Sequence, residues 1–247
     1  MAATGSPKVL LTAAEIEDLR HATNIVKAAI HPDTQKPIPM PMRITFFLPG
    51  NFPINLGFLF AAPTMFNTIL WQVINQTYNA ILNFGNANKS SPISTSDIMT
   101  SYVMAVAASC SAGAALRFAA KDLTARASGG RLLVLNGIVS TVACAGGGFA
   151  NNWFIRQPEV KTGIAVRDPA TDEIVGLSKN CAKSAVWQTA LSRLLMPLTI
   201  GLPGFIIYAL ERKHLAPKNA TLLMMLQLTL ISLNLTLAVP LSMAAFP

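Results

Sequence analysis

Five carboxamide side chains, Gln72, Asn75, Asn79, Asn83 and Asn86, recur along the chain at spacings of three and four. On a helix turning about 100° per residue they fall within an arc of about 80°. Asn is a mediocre helix former, so a column of it on one face calls for a chemical use. A carboxamide both donates and accepts hydrogen bonds and carries no charge. Such a column can hold a zwitterionic solute, or its members can satisfy one another and buried backbone. The sequence leaves both open.

A second group with chemical potential is Arg193 with Pro197 and Pro203, inside the apolar run 185–210. A charge at the centre of a bilayer costs about 3 kcal/mol on insertion scales. Each proline removes a backbone donor and frees a carbonyl. A broken helix beside a charge is a common solute site at membrane depth. The alternative is that Arg193 snorkels to the headgroups, a reach of about 12 Å from eight residues inside.

Enzyme and cofactor chemistry find no support. The three histidines, His21, His31 and His214, are dispersed, and none has a ligand partner one helical turn away. Cys110, Cys144 and Cys181 are far apart and odd in number, which suits buried thiols rather than a disulfide or metal framework. Gly146-Gly147-Gly148 lies in an apolar run, where close helix packing is the expected role. No cofactor, metal or catalytic residue is expected.

The elements that must position these groups belong to a membrane. The chain is 52% hydrophobic and 12% charged, against about 25% charged for soluble domains, and its mean hydropathy is +0.46. The net charge of +8 is scattered, so nucleic acid is not an expected partner; the lipid bilayer is. Apolar runs at 54–70, 98–119, 132–150, 185–210 and 222–246 approach the ~20 residues a helix needs to span a bilayer. The fold class expected is therefore an all-α membrane protein with about five transmembrane helices. Pro63 should kink the first, which extends if 71–82 continues the same helix.

Before them, Thr12 and Glu15 form a capping box for an amphipathic helix with Ile16, Leu19, Val26 and Ile30 on one stripe. His31-Pro32-Asp33-Thr34 stops it as a turn, and the prolines at 37, 39, 41 and 49 make 35–53 extended. Two units follow: 1–53, the helix and connection, and 54–247, the transmembrane domain. The acidic residues Glu15, Glu17 and Asp18 argue against a cleaved presequence. Lys and Arg favour the side holding the N-terminus and the 120–131 and 211–221 loops, so the N-terminus is read as inside and the C-terminus as outside. Trp71, Trp153 and Trp187 then fall on the outer side. The 151–184 loop reads as a short β-hairpin, with strands at 160–167 and 173–178.

Several motifs in one order resemble the sideroflexins. They are His31-Pro-Asp-Thr34, Trp71-Gln-Val-Ile-Asn-Gln-Thr-Tyr-Asn79 with Asn83, Arg156-Gln-Pro-Glu-Val-Lys-Thr-Gly-Ile-Ala-Val166, and Ser192-Arg-Leu-Leu-Met-Pro197. Asn151 stands where relatives carry an Asn-rich pattern, of which Gly148 and Trp153 replace the other two members. The resemblance implies a multi-pass protein of the mitochondrial inner membrane with its N-terminus in the matrix and its C-terminus in the intermembrane space. It implies transport of a small neutral amino acid, serine first, for one-carbon metabolism. Asn75, Asn79, Asn83 and Arg193 would bind the solute. His31, Pro32, Asp33, Thr34, Gln72, Asn151 and Pro197 would gate or shape the path. The competing reading is a structural or assembly subunit of another inner-membrane complex, no longer moving solute.

Overall fold

The computed structural model describes residues 12–31, 34–86, 94–168, 171 and 173–244. Helix α1 (Ala13–Ala29) begins as expected: Thr12 Oγ1 accepts from the Glu15 amide, and Glu15 Oε2 accepts from the Thr12 amide at 2.8 Å. It buries no residue, and Ile16, Leu19 and Val26 stay exposed. Its stripe is therefore open to a bilayer surface rather than spent on the protein. A short bridge joins Ile30 to Pro37, and the His31 amide donates to the Lys36 carbonyl. Pro32 and Asp33 lie outside the described residues.

The expected extended stretch 35–53 is not extended throughout. Two single turns, Met40–Met42 and Ile44–Phe46, lead directly into α2 (Phe47–Phe60). Pro49 sits in the first turn, where its missing N–H has no intrahelical partner to lose. Pro53 is interior. The helix is stitched there by side chains: Asn51 Nδ2 donates to the Phe47 carbonyl at 2.9 Å, and Asn55 Nδ2 to the Asn51 carbonyl at 3.0 Å.

The larger correction concerns the first span. The chain breaks at 61–64, around Pro63, and α3 (Met65–Asn86) runs back alongside α2. Trp71 packs on Gly57, Tyr78 packs on Gly50, and the Tyr78 hydroxyl donates to the Phe46 carbonyl. Asn86 Nδ2 reaches the Met42 carbonyl at 2.6 Å. These pairs make α2–α3 an antiparallel hairpin rather than one kinked crossing. A side chain at Gly57 would collide with the Trp71 ring, so this close approach needs glycine.

Helices α4 (Thr95–Ala119) and α6 (Gly129–Ile155), joined through short α5 (Lys121–Ala125), form a second antiparallel pair. Their seam is built from small buried residues, Ala105, Ser109 and Gly113 against Ala143 and Gly147. That is how helices gain contact where lipid removes the hydrophobic drive. After α6 come α7 (Gln157–Thr162) and a two-stranded antiparallel sheet of β1 (Ile164–Arg167) and β2 (Ile174–Ser178). The hairpin is as expected, except that residues 160–162 belong to α7, which ends at Gly163.

The fourth run is also in pieces: α8 (Lys179–Leu195), a turn at Met196–Thr199, and α9 (Leu202–Arg212). Together they descend antiparallel to α6, with Thr141 Oγ1 donating to the Pro197 carbonyl and Gly204 against Leu133. Helix α10 (Ala220–Ala244) closes the bundle. Leu59, Leu133, Ile207, Ile231 and Leu235 meet in its lower core.

Three helices among the described residues are long and apolar enough to cross a membrane: Thr95–Ala119, Gly129–Ile155 and Ala220–Leu237. The other two expected spans exist as a hairpin and as a broken helix. The hairpin also changes the sidedness read from charge. Residues 42–46 sit beside the end of α3, whereas α2 descends to Asn136 of α6, whose Nδ2 donates to the Leu59 carbonyl at 3.0 Å. The N-terminal segment therefore lies at the end opposite the 120–128 and 213–219 connections. Trp71 is likewise not level with Trp153 and Trp187: it lies near the α2–α3 turn, 12 residues or ~18 Å along α3 from Asn83.

Candidate solute cavity

The amide column of α3 faces a cavity of about 320 Å³. Asn75, Gln76, Asn79, Asn83 and Asn86 line one wall. Exposure rises along it: Asn75 is buried, Asn79 half-buried and Asn83 exposed. The cavity is thus deep at Asn75 and open at Asn83. Its other walls also carry amides: Asn51 and Asn55 from α2, Asn151 and Asn152 from α6, and Asn234 from α10. Apolar Phe58, Ile200 and Leu235 fill the spaces between.

Arg193 of α8 also lines it, and among the described residues it is the one charged lining group. Gly148 of α6 faces α8 there: a methyl group at Gly148 would sit 3.5 Å from Arg193 Cβ, an ordinary contact. No hydrogen bond or ion pair ties down the Arg193 guanidinium among the described residues. The neighbouring Arg156 is held instead, by Glu159 at 2.6 Å and Thr189 at 3.0 Å. Pro197 lines the cavity and offers its carbonyl to Thr141.

Some lining amides are satisfied. Asn83 Nδ2 donates to Asn151 Oδ1 at 2.9 Å across the mouth, joining α3 to α6. Asn75 Nδ2 points at Cys144 Sγ at 3.4 Å. Others are not. Gln76 Nε2 and Oε1, Asn152 Oδ1 and Asn234 Oδ1 are buried and lack any protein partner among the described residues. A buried polar group left unpaired costs about 1–3 kcal/mol, and here four such atoms belong to residues lining one cavity. These four atoms are closed off by packing, so what the cavity itself presents is a lining of uncharged amides and one free guanidinium. That set can bind a small molecule bearing both an ammonium and a carboxylate.

The sequence-expected residues divide. Asn75, Asn79, Asn83, Asn151, Arg193 and Pro197 come together here. Gln72 lies deeper and accepts from the Cys144 thiol at 3.5 Å, outside the lining. His31 is buried and Thr34 exposed, and neither lines the cavity. One wall is supplied by Asn51 and Asn55 of α2. Asn51, Asn55, Gln76, Asn152 and Asn234 were missed as site residues. The signal for Asn234 was present, as a lone amide in an otherwise apolar helix. Asn51 and Asn55 are spaced by four, but their prolines masked the helix.

A family model described as Sideroflexins matches residues 7–247. The chain is similar to sideroflexin FSF1 of Saccharomyces cerevisiae, 33% identical with 98% of this chain and 80% of that protein covered. It is similar to sideroflexin-5 of Homo sapiens, 32% identical over 94% of this chain and 68% of that protein. Sideroflexin-1 of Rattus norvegicus is 29% identical over 93% and 69%. No solved structure matches the chain.

Proposed function

The chain belongs to the sideroflexin family, and on that premise we propose that it carries a small neutral amino acid across the mitochondrial inner membrane. The observation that supports this is the cavity's lining of uncharged amides around one free guanidinium. An α-ammonium has three donors, and the lining asparagines offer it neutral amide oxygens as acceptors. An α-carboxylate fits the free fork of Arg193. No acidic or second basic group lines the cavity among the described residues, so a carboxylate has one cationic partner and an ammonium has neutral oxygens only. The volume is at the small end of the ~300–1,000 Å³ usual for ligand pockets. Serine is the leading candidate: its hydroxyl donates and accepts, as the remaining amides of Asn79 and Asn55 do. Supply of one-carbon metabolism would follow from that substrate. A purely structural role in an inner-membrane complex gives this amide-lined cavity no use.

The pathway runs from the mouth at Asn83–Asn151 down to Asn75. The broken α8–α9 segment and the α2–α3 hairpin flank it, and broken helices of this kind move in carriers that alternate access. Nine described Lys and Arg lie at the mouth end and six at the 120–131 and 211–218 connections. This favours the mouth end, with the segment before α2, on the matrix side.

Uptake of labelled serine into proteoliposomes tests the reading. Small neutral amino acids should compete, and amines lacking the carboxylate should not. Arg193→Gln should lower uptake at least tenfold, the size of one lost charge-assisted bond, with Arg193→Lys recovering part of it. Parent-like transport by both Arg193→Gln and Asn79→Ala would overturn the assignment.

A further inference from the structure

A second concavity lies outside the solute path. It is an open groove of about 480 Å³ between the end of α6 and the start of α8, lined by Trp153, Asn180, Lys183, Ser184 and Trp187. The four α8 residues share one face, centred about 130° around the helix from Arg193. The walls are stiff. Trp187 meets Trp153 edge-on at 5.8 Å and Phe149 edge-on at 5.7 Å, while Phe149 and Trp153 stack at 6.3 Å. Even so, Trp187 remains 48% exposed. Packing has fixed an indole in place and left half of it uncovered.

The groove's height and charge say what covers it. Trp153 is two residues past Asn151 at the cavity mouth, in the last turn of α6, and α7 and the β-hairpin follow at once. This is the boundary between hydrocarbon and water, where indoles settle. Lys183 is exposed at the rim, and Lys179 lies one helical turn before it on the adjoining face, also exposed. Among the described residues no acidic side chain lines the groove. Asn180 and Ser184 add neutral donors. A long apolar chain with an anion at its head matches that order of groups.

We propose that this groove is a binding site for one anionic phospholipid, with an acyl chain against Trp153 and Trp187 and the phosphate against Lys183, Asn180 and Ser184. The site depends on the chain lying in a bilayer and not on which solute the cavity carries.

The test uses tryptophan quenching in the full-length protein reconstituted with brominated lipids. Brominated phosphatidylglycerol should quench at an about fivefold lower mole fraction than brominated phosphatidylcholine, the preference one lysine confers near an anionic lipid. Lys183→Gln, a surface change that leaves the aromatic walls in place, should erase most of that preference. Trp187→Phe should reduce the headgroup-selective part of the quenching to what Trp153 still reports, while Trp71 supplies the unselective rest. Equal quenching by the two lipids in the parent would overturn the site. So would a preference that survives Lys183→Gln, because it would then reflect general attraction to a basic surface.

Discussion

Arg117 Nη1 donates to Asn136 Oδ1 at 2.9 Å, and through Asn136 this buried cation holds the tip of the α2–α3 hairpin. Asn136 Nδ2 donates onward to the carbonyls of Leu59 at 3.0 Å and Ala61 at 3.4 Å, the frayed end of α2. Arg117 Nε donates to Thr68 Oγ1 at 2.9 Å, on the first turns of α3. One arginine and one asparagine thus join α2, α3, α4 and α6. Among the described residues no carboxylate shares the site, so neutral oxygens carry the whole solvation of the charge.

Asn136→Ala should therefore be costly. It leaves Arg117 one acceptor short and the last α2 carbonyls uncapped, a loss of about 2–3 kcal/mol. For a chain of this size that lowers the melting temperature by about 4 °C or more. Thermal unfolding of purified protein in detergent reads it directly, and an unchanged midpoint would show that the hairpin tip is held by other contacts.

Asn234 should behave in the opposite sense. Its Oδ1 is buried without a protein partner among the described residues, so Asn234→Leu removes an unsatisfied group from an apolar helix. Stability should rise by about 1 kcal/mol while amino-acid uptake falls. A variant that is more stable and equally active would remove Asn234 from the solute's ligands.

Two neighbouring glycines give a matched pair. A Cβ at Gly147 would fall on Gln76 Nε2 and against Ser109 Cβ, whereas one at Gly146 meets nothing within 4 Å. Gly147→Ala should force α3, α4 and α6 apart, at a cost of about 1–3 kcal/mol. Gly146→Ala should be neutral or slightly stabilising through helix propensity. Equal melting temperatures for the two variants would contradict the packing of this seam.

The α1 cap predicts a pH dependence. Hydrogen bonds from the Thr12 amide and hydroxyl hold the Glu15 carboxyl below the usual glutamate range. With the folded value depressed, the cap's contribution is complete above the ordinary glutamate pKa. It is lost as pH falls through the depressed value. An NMR titration of the Glu15 carboxyl carbon should show the lowered midpoint, and Thr12→Ala, which removes the hydroxyl but keeps the amide, should recover the smaller part of the shift.

Periodicity alone determined the capped α1, the amide column of α3, the apolar cores of α4, α6 and α10, and the β-hairpin. Each is a local pattern: a spacing of three and four, a capping pair, or an unbroken apolar run. The broken fourth run was also legible, because proline removes a backbone donor wherever it stands. Hydropathy could not separate one kinked span from two antiparallel helices, since both bury the same apolar residues. Only the contacts of Gly57 with Trp71 and of Asn86 with Met42 decide it. That fold moved the 120–128 and 213–219 connections to the end opposite the N-terminal segment and made α2 a cavity wall. It also gave Arg117 a purpose, because its partners Thr68 and Asn136 are 49 and 19 residues away in sequence. The column was readable because a helix repeats its face. The cavity was not, because it exists only where α2, α3, α6, α8 and α10 converge.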